Sequence, residues 1–277
     1  MSSSFMTSGS RRWLSPISAF IDHRSLVIEL AKRDVLGRYR GASFGLLWSL
    51  ISPFMMLCVY TFAFGSILKS RWPTAPSGES NFAVILFVGL IIHGFFAECL
   101  IRSPTLVTSN PNFVKRLVFP LDIMPWPMVL SALFHLAMNF VVFIALKLFI
   151  DGTLAWHTFL LPVVLAPLVL FTLGMSWFLA SLGVYLRDIA QVTSVLSTAL
   201  FFLSSAIVPV DALPEKYRVF FELNPLTFII DQARNVALWD VAPNWLGLGG
   251  YSLVALALAY LGRSWFDLTR KGFADVL

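Results

Sequence analysis

Residues 44–68 run for 25 positions without a charged side chain. At 1.5 Å per residue such a helix is about 37 Å long, enough to cross a ~30 Å hydrocarbon layer with some tilt. Five more runs follow at 82–101, 125–146, 158–186, 189–210 and 241–262. In lipid every backbone N–H and C=O must be paired internally, and runs this long without alternation fit helices rather than barrel strands. The expected fold class is an all-α integral membrane protein with six transmembrane helices. Charged residues make up only 13% of the chain, about half the share of a soluble domain.

The formal charge is +5, but the basic residues flank apolar runs instead of forming a solvated patch, which argues against nucleic acid as a partner. With the N-terminus inside, the inner segments hold 14 of the 20 Lys and Arg and the outer ones six. That bias predicts both termini in the cytoplasm. Arg11-Arg12 begins no export signal, because the apolar stretch 17–21 is too short. The organisation expected is a cytoplasmic tail at 1–24, an amphipathic interface helix at 25–43, the six-span body at 44–262 and a second cytoplasmic tail at 263–277. Cys58 and Cys99 both lie inside apolar runs and suggest no disulfide framework.

Several elements are more than spans. Over 25–39, Ile28, Ala31, Val35 and Tyr39 recur at helical spacing beside Lys32, Arg33, Asp34 and Arg38, which predicts an amphipathic helix along the inner surface. Gly37, Gly41 and Gly45 let the chain turn from it into the first span. In the loop 102–122, Asn110-Pro111 signals a helix start and Pro120 a stop, so Asn112, Phe113, Lys115 and Arg116 fall on a short basic helix. It suits either docking onto a soluble partner or a plain capped connection. Arg187-Asp188 occupies a tight turn between the fourth and fifth spans. Outside, Pro209, Pro214 and Pro225 divide 211–240 into apolar pieces at 215–223 and 226–238. Both are too short to cross, and fit re-entrant helices dipping into the outer leaflet.

Inside the spans, His93, Glu98, His135 and Asn139 are costly in hydrocarbon and should face the bundle interior. His135 and Asn139 share a helix face, and interhelical hydrogen bonding is the favoured role over a proton relay. Trp48, Tyr60, Phe64, Phe201 and Phe202 are candidates to line a sugar-stacking path. No GxxxxGK[ST], HExxH or CxxC occurs, so neither ATP binding through a P-loop nor the commoner metal and dithiol constellations can be read from this chain. Two other classes remain as competitors: an exporter of a small lipid or drug, and a membrane-embedded glycan ligase or polymerase.

The run 33–41, RDVLGRYRG, continuing FGLLW at 44–48 to Ser52-Pro53, resembles the start of the first span in permease subunits of ABC-type polysaccharide exporters, the lipopolysaccharide O-antigen and teichoic acid export group. Asn110 to Arg116 with Phe119-Pro120 and Met124-Pro125, Tyr185 to Ile189, and Asn224 to Thr227 followed by Arg234 agree in order. The resemblance implies a homodimer of six-span permeases above two ABC ATPase subunits. This assembly would move an undecaprenyl-diphosphate-linked glycan out across the bacterial cytoplasmic (inner) membrane. It implies no catalytic site, cofactor or metal in the chain, with ATP and Mg bound by the partner. Carried over by motif, the ATPase-docking residues are Arg33, Asp34, Arg38, Asn112, Phe113, Lys115, Arg116, Arg187 and Asp188. The outer gate carries Pro214, Phe220, Asn224, Pro225 and Arg234. Tyr60 to Phe64 with Lys69 to Trp72 is closer to the O-antigen branch than to the teichoic acid one; capsule export is a further alternative.

Overall fold

A computed structural model describes residues 18–67, 72, 82–114 and 119–276. Among these, every regular element is helical. Five helices are long and apolar enough to cross a membrane: Gly45–Phe64, Phe82–Thr105, Leu121–Phe149, Trp156–Tyr185 and Trp245–Gly272. Their α-helical parts are α3 (Trp48–Tyr60), α4 (Phe82–Arg102), α6 (Pro125–Asp151), α7 (Leu161–Tyr185) and α11 (Trp245–Thr269). Before them stand α1 (Ser18–Asp22) and α2 (Arg24–Arg38), and α5 (Pro111–Val114) interrupts the loop between α4 and α6.

The run 189–210 is where expectation and structure differ most. It forms α8 (Ile189–Phe202), a helix of 14 residues, or about 21 Å, well under the ~30 Å of a hydrocarbon core. Its end is set by side chains rather than by hydrophobicity. Asn224 donates from Nδ2 to the Leu200 and Leu203 carbonyls at 2.8 and 3.0 Å, and Ser204 Oγ donates to the Phe201 carbonyl at 2.8 Å. Residues 203–210 are uncharged, so composition extends the run, while capped carbonyls stop the helix. The chain then continues through α9 (Glu215–Glu222) and α10 (Pro225–Ala237), close to the two short pieces expected outside, and ends in α12 (Phe273–Val276).

The centre of the bundle is α4. Ile85, Val88, Ile92, Phe96 and Cys99 are fully buried along one face, Phe87 and Ile91 are nearly so on another, and the helix packs on α6, α7, α8 and α10. By contrast α3 buries only Ser49, Pro53 and Leu57, leaving Phe54, Met55, Val59 and Phe62 outward. In water that surface would demand a partner; in a bilayer it is a lipid-facing or subunit-facing side.

The closest helix pair is α7 with α11, and it is closed by small residues. A Cβ at Gly174 would come within 2.6 Å of the Ala259 backbone, and one at Gly262 would collide with the Gly174 carbonyl. Without a hydrophobic drive between helices in lipid, such backbone contact supplies the packing. Replacing Gly262 with leucine should overpack the pair by about 2–3 kcal/mol, lowering the detergent melting temperature by roughly 5 °C or more. Gly249→Leu, where nothing lies within 4 Å, is the control expected to leave it unchanged. An ion pair locks the C-terminal part of α11 to the start of α6: Arg263, 3% exposed, meets Asp122 at 2.7 Å, and Trp177 Nε1 donates to the Asp122 carbonyl at 2.8 Å.

The helix α2 does not rest its apolar stripe on lipid. The buried residues are Val27, Ala31 and Val35, spaced i, i+4, i+8, and Val27 with Phe20 and Leu30 joins Ile123, Trp126 and Leu130. Ile28, expected on that stripe, is 52% exposed. The buried face keeps Ala31 and Val35 of the stripe read from the pattern but is rotated by roughly 45°, Val27 taking the place of Ile28, because α2 packs on α6 there. Gly41 and Gly45 take φ of +85° and +49°, conformations open to glycine, and turn the chain into α3.

Candidate functional site

Five polar side chains from three elements converge beside the C-terminal turns of α4. Arg102, on the last turn of α4, donates from Nη2 to both Asp34 oxygens at 2.8 Å, and from Nη1 to Glu98 Oε1 at 2.9 Å. Arg38 forks onto the same Glu98: Nη2 pairs with Oε1, and Nη1 lies 3.4 Å from Oε2. The His135 ring of α6 closes the cluster, its Nδ1 3.3 Å from Arg38 Nη1 and 3.8 Å from Glu98. Two cations and two carboxylates cancel, so the group is neutral as a whole while every member is charge-paired. The side chain of Glu98 is only 18% exposed, which strengthens these bonds relative to a surface pair. Asp34 and Arg38 belong to α2, so the cluster ties the interface helix to both central spans.

Beside it lies a cleft of 520 Å³ between α2, residues 102–113 and the start of α6, lined by Arg33, Asp34, Arg38, Arg102, Asn110 and Phe113 among others. Phe113 stacks on Phe119 with centroids 4.3 Å apart and planes 6° from parallel, and Asn112 is exposed on α5. Lys115 and Arg116 lie outside the described residues. The turn carrying Arg187 and Asp188 is exposed, and neither side chain has a partner among the described residues. It sits next to the same segment, since a Cβ at Gly183 would strike the Pro104 backbone.

The five aromatics expected along one path fall into two groups. Trp48 and Tyr60 line a single cavity of 340 Å³ together with Glu98, His135 and Asn139. Phe64 continues from Tyr60 in a π-helical turn, Thr61–Ile67, 6.4 Å from Tyr60 and 5.3 Å from Phe82. Phe201 instead packs on His93 of α4 at 4.8 Å, and Phe202 on Phe201 at 5.3 Å. His93 Nε2 is 3.1 Å from the Ser197 carbonyl, so the histidines make interhelical contacts.

At the opposite end, Asn224 is buried and caps α10, accepting from the Leu226 N–H at 2.9 Å. The Pro225 carbonyl accepts from Tyr251 at 3.0 Å. Arg234 is fully buried and donates to the carbonyls of Ile85, Ser205 and Ala206 at 3.2, 2.6 and 2.8 Å, under the Trp72 ring at 4.4 Å. Pro214 and Phe220 are exposed on the α9 side.

Sequence reasoning missed Arg102 as a member of the inner cluster. The i, i+4 spacing of Glu98 and Arg102 on one helix face was the available signal; the pairing with Asp34, 68 positions away, had none.

Residues 25–238 match the family model described as ABC-2 type transporter. Among similar proteins is the O-antigen export system permease protein RfbA of Myxococcus xanthus, 24% identical over 255 residues, 91% of this chain and 95% of that protein. Its namesake in Klebsiella pneumoniae is 26% identical over the same shares. The polysialic acid transport protein KpsM of Escherichia coli is 23% identical over 248 residues, 88% of this chain and 93% of the relative.

Proposed function

Since the chain belongs to the ABC-2 type transporters, we propose that it is the membrane permease of an ATP-driven exporter of a lipid-linked polysaccharide, with undecaprenyl-diphosphate-linked O-antigen as the leading substrate. The observation that carries the reading is the charged cluster Asp34–Arg102–Glu98–Arg38, which joins an inner-surface helix to two central spans above an open cleft. An engine acting on α2 and α5 from the cytoplasm would move α4 and α6 through it as one body. That engine is a separate ABC ATPase, two copies serving a homodimer of this chain; it carries the ATP and Mg. The names and coverage of the relatives support a glycan as cargo, and the polysialic acid transporter keeps capsule export as the second reading.

In this reading the bacterial inner membrane holds the chain with both termini inside, in keeping with the 14 to six split of basic residues. The fifth crossing is made by α8 extended by the uncharged segment 203–210, with α9 and α10 behind it as re-entrant helices. Asn224, Pro225 and Arg234 hold α10 to its neighbours, so the moving part of the outer gate is α9 with Pro214 and Phe220. Arg33, Asn112, Phe113, Arg187 and Asp188 face the ATPase, and Trp48 and Phe201 wall the path.

Deleting the chain should remove the surface glycan and leave lipid-linked glycan inside the cell, and the wild-type chain should restore export. Complementation with Lys115→Glu and Arg116→Glu together should leave insertion intact and cut surface glycan at least tenfold, a coupling loss of about 1–3 kcal/mol. Quantitative glycan blotting of intact and lysed cells reads both. Full export by the double variant would remove the docking role, and surface glycan unaffected by deletion would remove the permease reading.

A further inference from the structure

Residues 270–276, within the stretch expected as a tail, are packed onto the end of α7. Phe273 is fully buried, its ring 5.4 Å from Phe266 and 6.0 Å from Tyr185. The Tyr185 hydroxyl donates to the Thr269 carbonyl at 2.8 Å, and the Ser181 and Thr269 hydroxyls are 2.6 Å apart. A Cβ at Gly272 would come within 2.7 Å of the Tyr185 oxygen, so only glycine lets the segment lie this close. Arg270 stands 3.4 Å from Asp267 and 3.9 Å from Asp122. Ordering a chain segment costs entropy, and here a buried ring, hydrogen bonds and an ion pair together offset it.

Tyr185 is the last residue of α7, directly before the exposed turn that carries Arg187 and Asp188. The clamp therefore sets where that turn stands. Within three residues of Tyr185 on one side and of Phe273 on the other, Leu186, Arg187, Asp188, Lys271, Asp275 and Val276 are all exposed. None of the four charged side chains has a partner among the described residues.

The make-up of this patch says what covers it. Two cations and two carboxylates cancel, so a polyanion gains nothing from it, and an anionic lipid surface would meet Asp188 and Asp275 as like charges. Leu186 and Val276 add apolar area among the charges, 54% and 44% exposed. Both signs of charge around a small apolar area suit a protein surface of complementary pattern. The patch is also continuous with the turn read above as facing the ATPase, and Gly183 against Pro104 joins that turn to the segment 102–114.

We propose that residues 270–276 are a further docking element for the ATPase, and that Tyr185 is the positioning residue that fixes the turn 186–188 beside them. The inference rests on the permease reading above. It adds a contact on α7 and α11, the pair closed by Gly174 and Gly262, to those on α2 and α5. Movement of the ATPase then reaches two groups of helices, α4 and α6 through the Glu98 cluster, and α7 and α11 through this clamp.

The test uses the full chain co-expressed with its tagged ATPase subunit in glycan-producing cells, carrying photoreactive p-benzoylphenylalanine at Lys271, Asp275, Arg187 or, as control, Leu253, which is 70% exposed on α11. After illumination, adducts of one permease with one ATPase subunit at positions 271 and 275 should exceed those at 253 by about fivefold or more, since a packed interface holds the probe against its target. Tyr185→Phe keeps the ring and loses only the bond to Thr269, so the chain should melt within about 2 °C of wild type while the adduct yield at 187 falls about threefold. An unchanged yield at 187 in that variant would overturn the positioning role. Adducts at 187 with only background at 271 and 275 would overturn the docking role, as would adducts at 271 that hold a second copy of the chain and no ATPase. In these cases surface glycan would still depend on the chain, and the permease reading would stand. Background at all three positions, with surface glycan unaffected by deletion, would remove that reading and this inference with it.

Discussion

Replacing Glu98 with alanine is expected to reduce glycan export by 10- to 100-fold while ATP hydrolysis by the assembled transporter continues. Glu98 is the one residue bonded to both arginines, so its loss releases Arg38 from the spans and leaves Arg102 held by Asp34 alone. A contact pair at an effective dielectric near 20 is worth about 4 kcal/mol before the cost of removing water. The side chains of Arg38 and Arg102 are 39% and 32% exposed, which brings the net figure down to about 2 kcal/mol. That is still the size of a typical coupling energy between sites. Surface glycan and ATPase turnover, measured on the same preparation, separate uncoupling from misfolding. The pair Asp34→Arg with Arg102→Asp, which restores the contact in reverse, should recover part of the export that Asp34→Arg alone loses. Wild-type export by Glu98→Ala would remove the cluster from the coupling route.

The largest effect on stability is expected at Arg234. Its guanidinium serves three carbonyls, two of them in the irregular segment that follows α8, and methionine would fill the volume while leaving all three unpaired in apolar surroundings. The expected cost is about 3–5 kcal/mol, a fall of roughly 10 °C or more in the detergent melting temperature for a chain of this size. Lysine should not rescue it, because an ammonium lacks the planar fork that spans three acceptors under an indole. Gly89→Ala attacks the same joint from the other side: its Cβ would come within 2.8 Å of the Ala206 backbone and 2.9 Å of Arg234. Arg234→Met melting within 2 °C of wild type would show that α10 is held by other means.

Much of this architecture was legible in advance. The apolar runs located α3, α4, α6, α7 and α11, because in lipid a long apolar stretch has no alternative to a helix, although α6 and α11 continue past their runs to Asp151 and Thr269. Proline placed α9 and α10, since a missing N–H acts locally. The reading failed where the deciding contact was distant in sequence. Nothing between 189 and 210 says that Asn224 will cap Leu200 and Leu203, so a 14-residue helix was read as a full span. Hydrophobic periodicity gave α2 an apolar stripe but assigned Ile28 to it, because a pattern records which residues avoid water and not which neighbour they meet.

The candidate site divides along the same line. Asp34, Arg38 and Glu98 each stood out alone, as cations and acids beside or within a span. Arg102 was passed over because a basic residue at a span end is what topology requires anyway. Only the packing of α2 against α6 brings Arg38 to Glu98 and His135, over separations of 60 and 97 residues.

By itself the sequence determined that the chain carries membrane-spanning helices and roughly where those helices run, both consequences of one residue's transfer energy or one turn's geometry. The tertiary structure alone decided that α8 stops short, that Arg234 binds three carbonyls and that four charges form one neutral joint. Those outcomes depend on groups meeting across tens of residues, and such pairing is set by how the helices pack rather than by any local property of the chain.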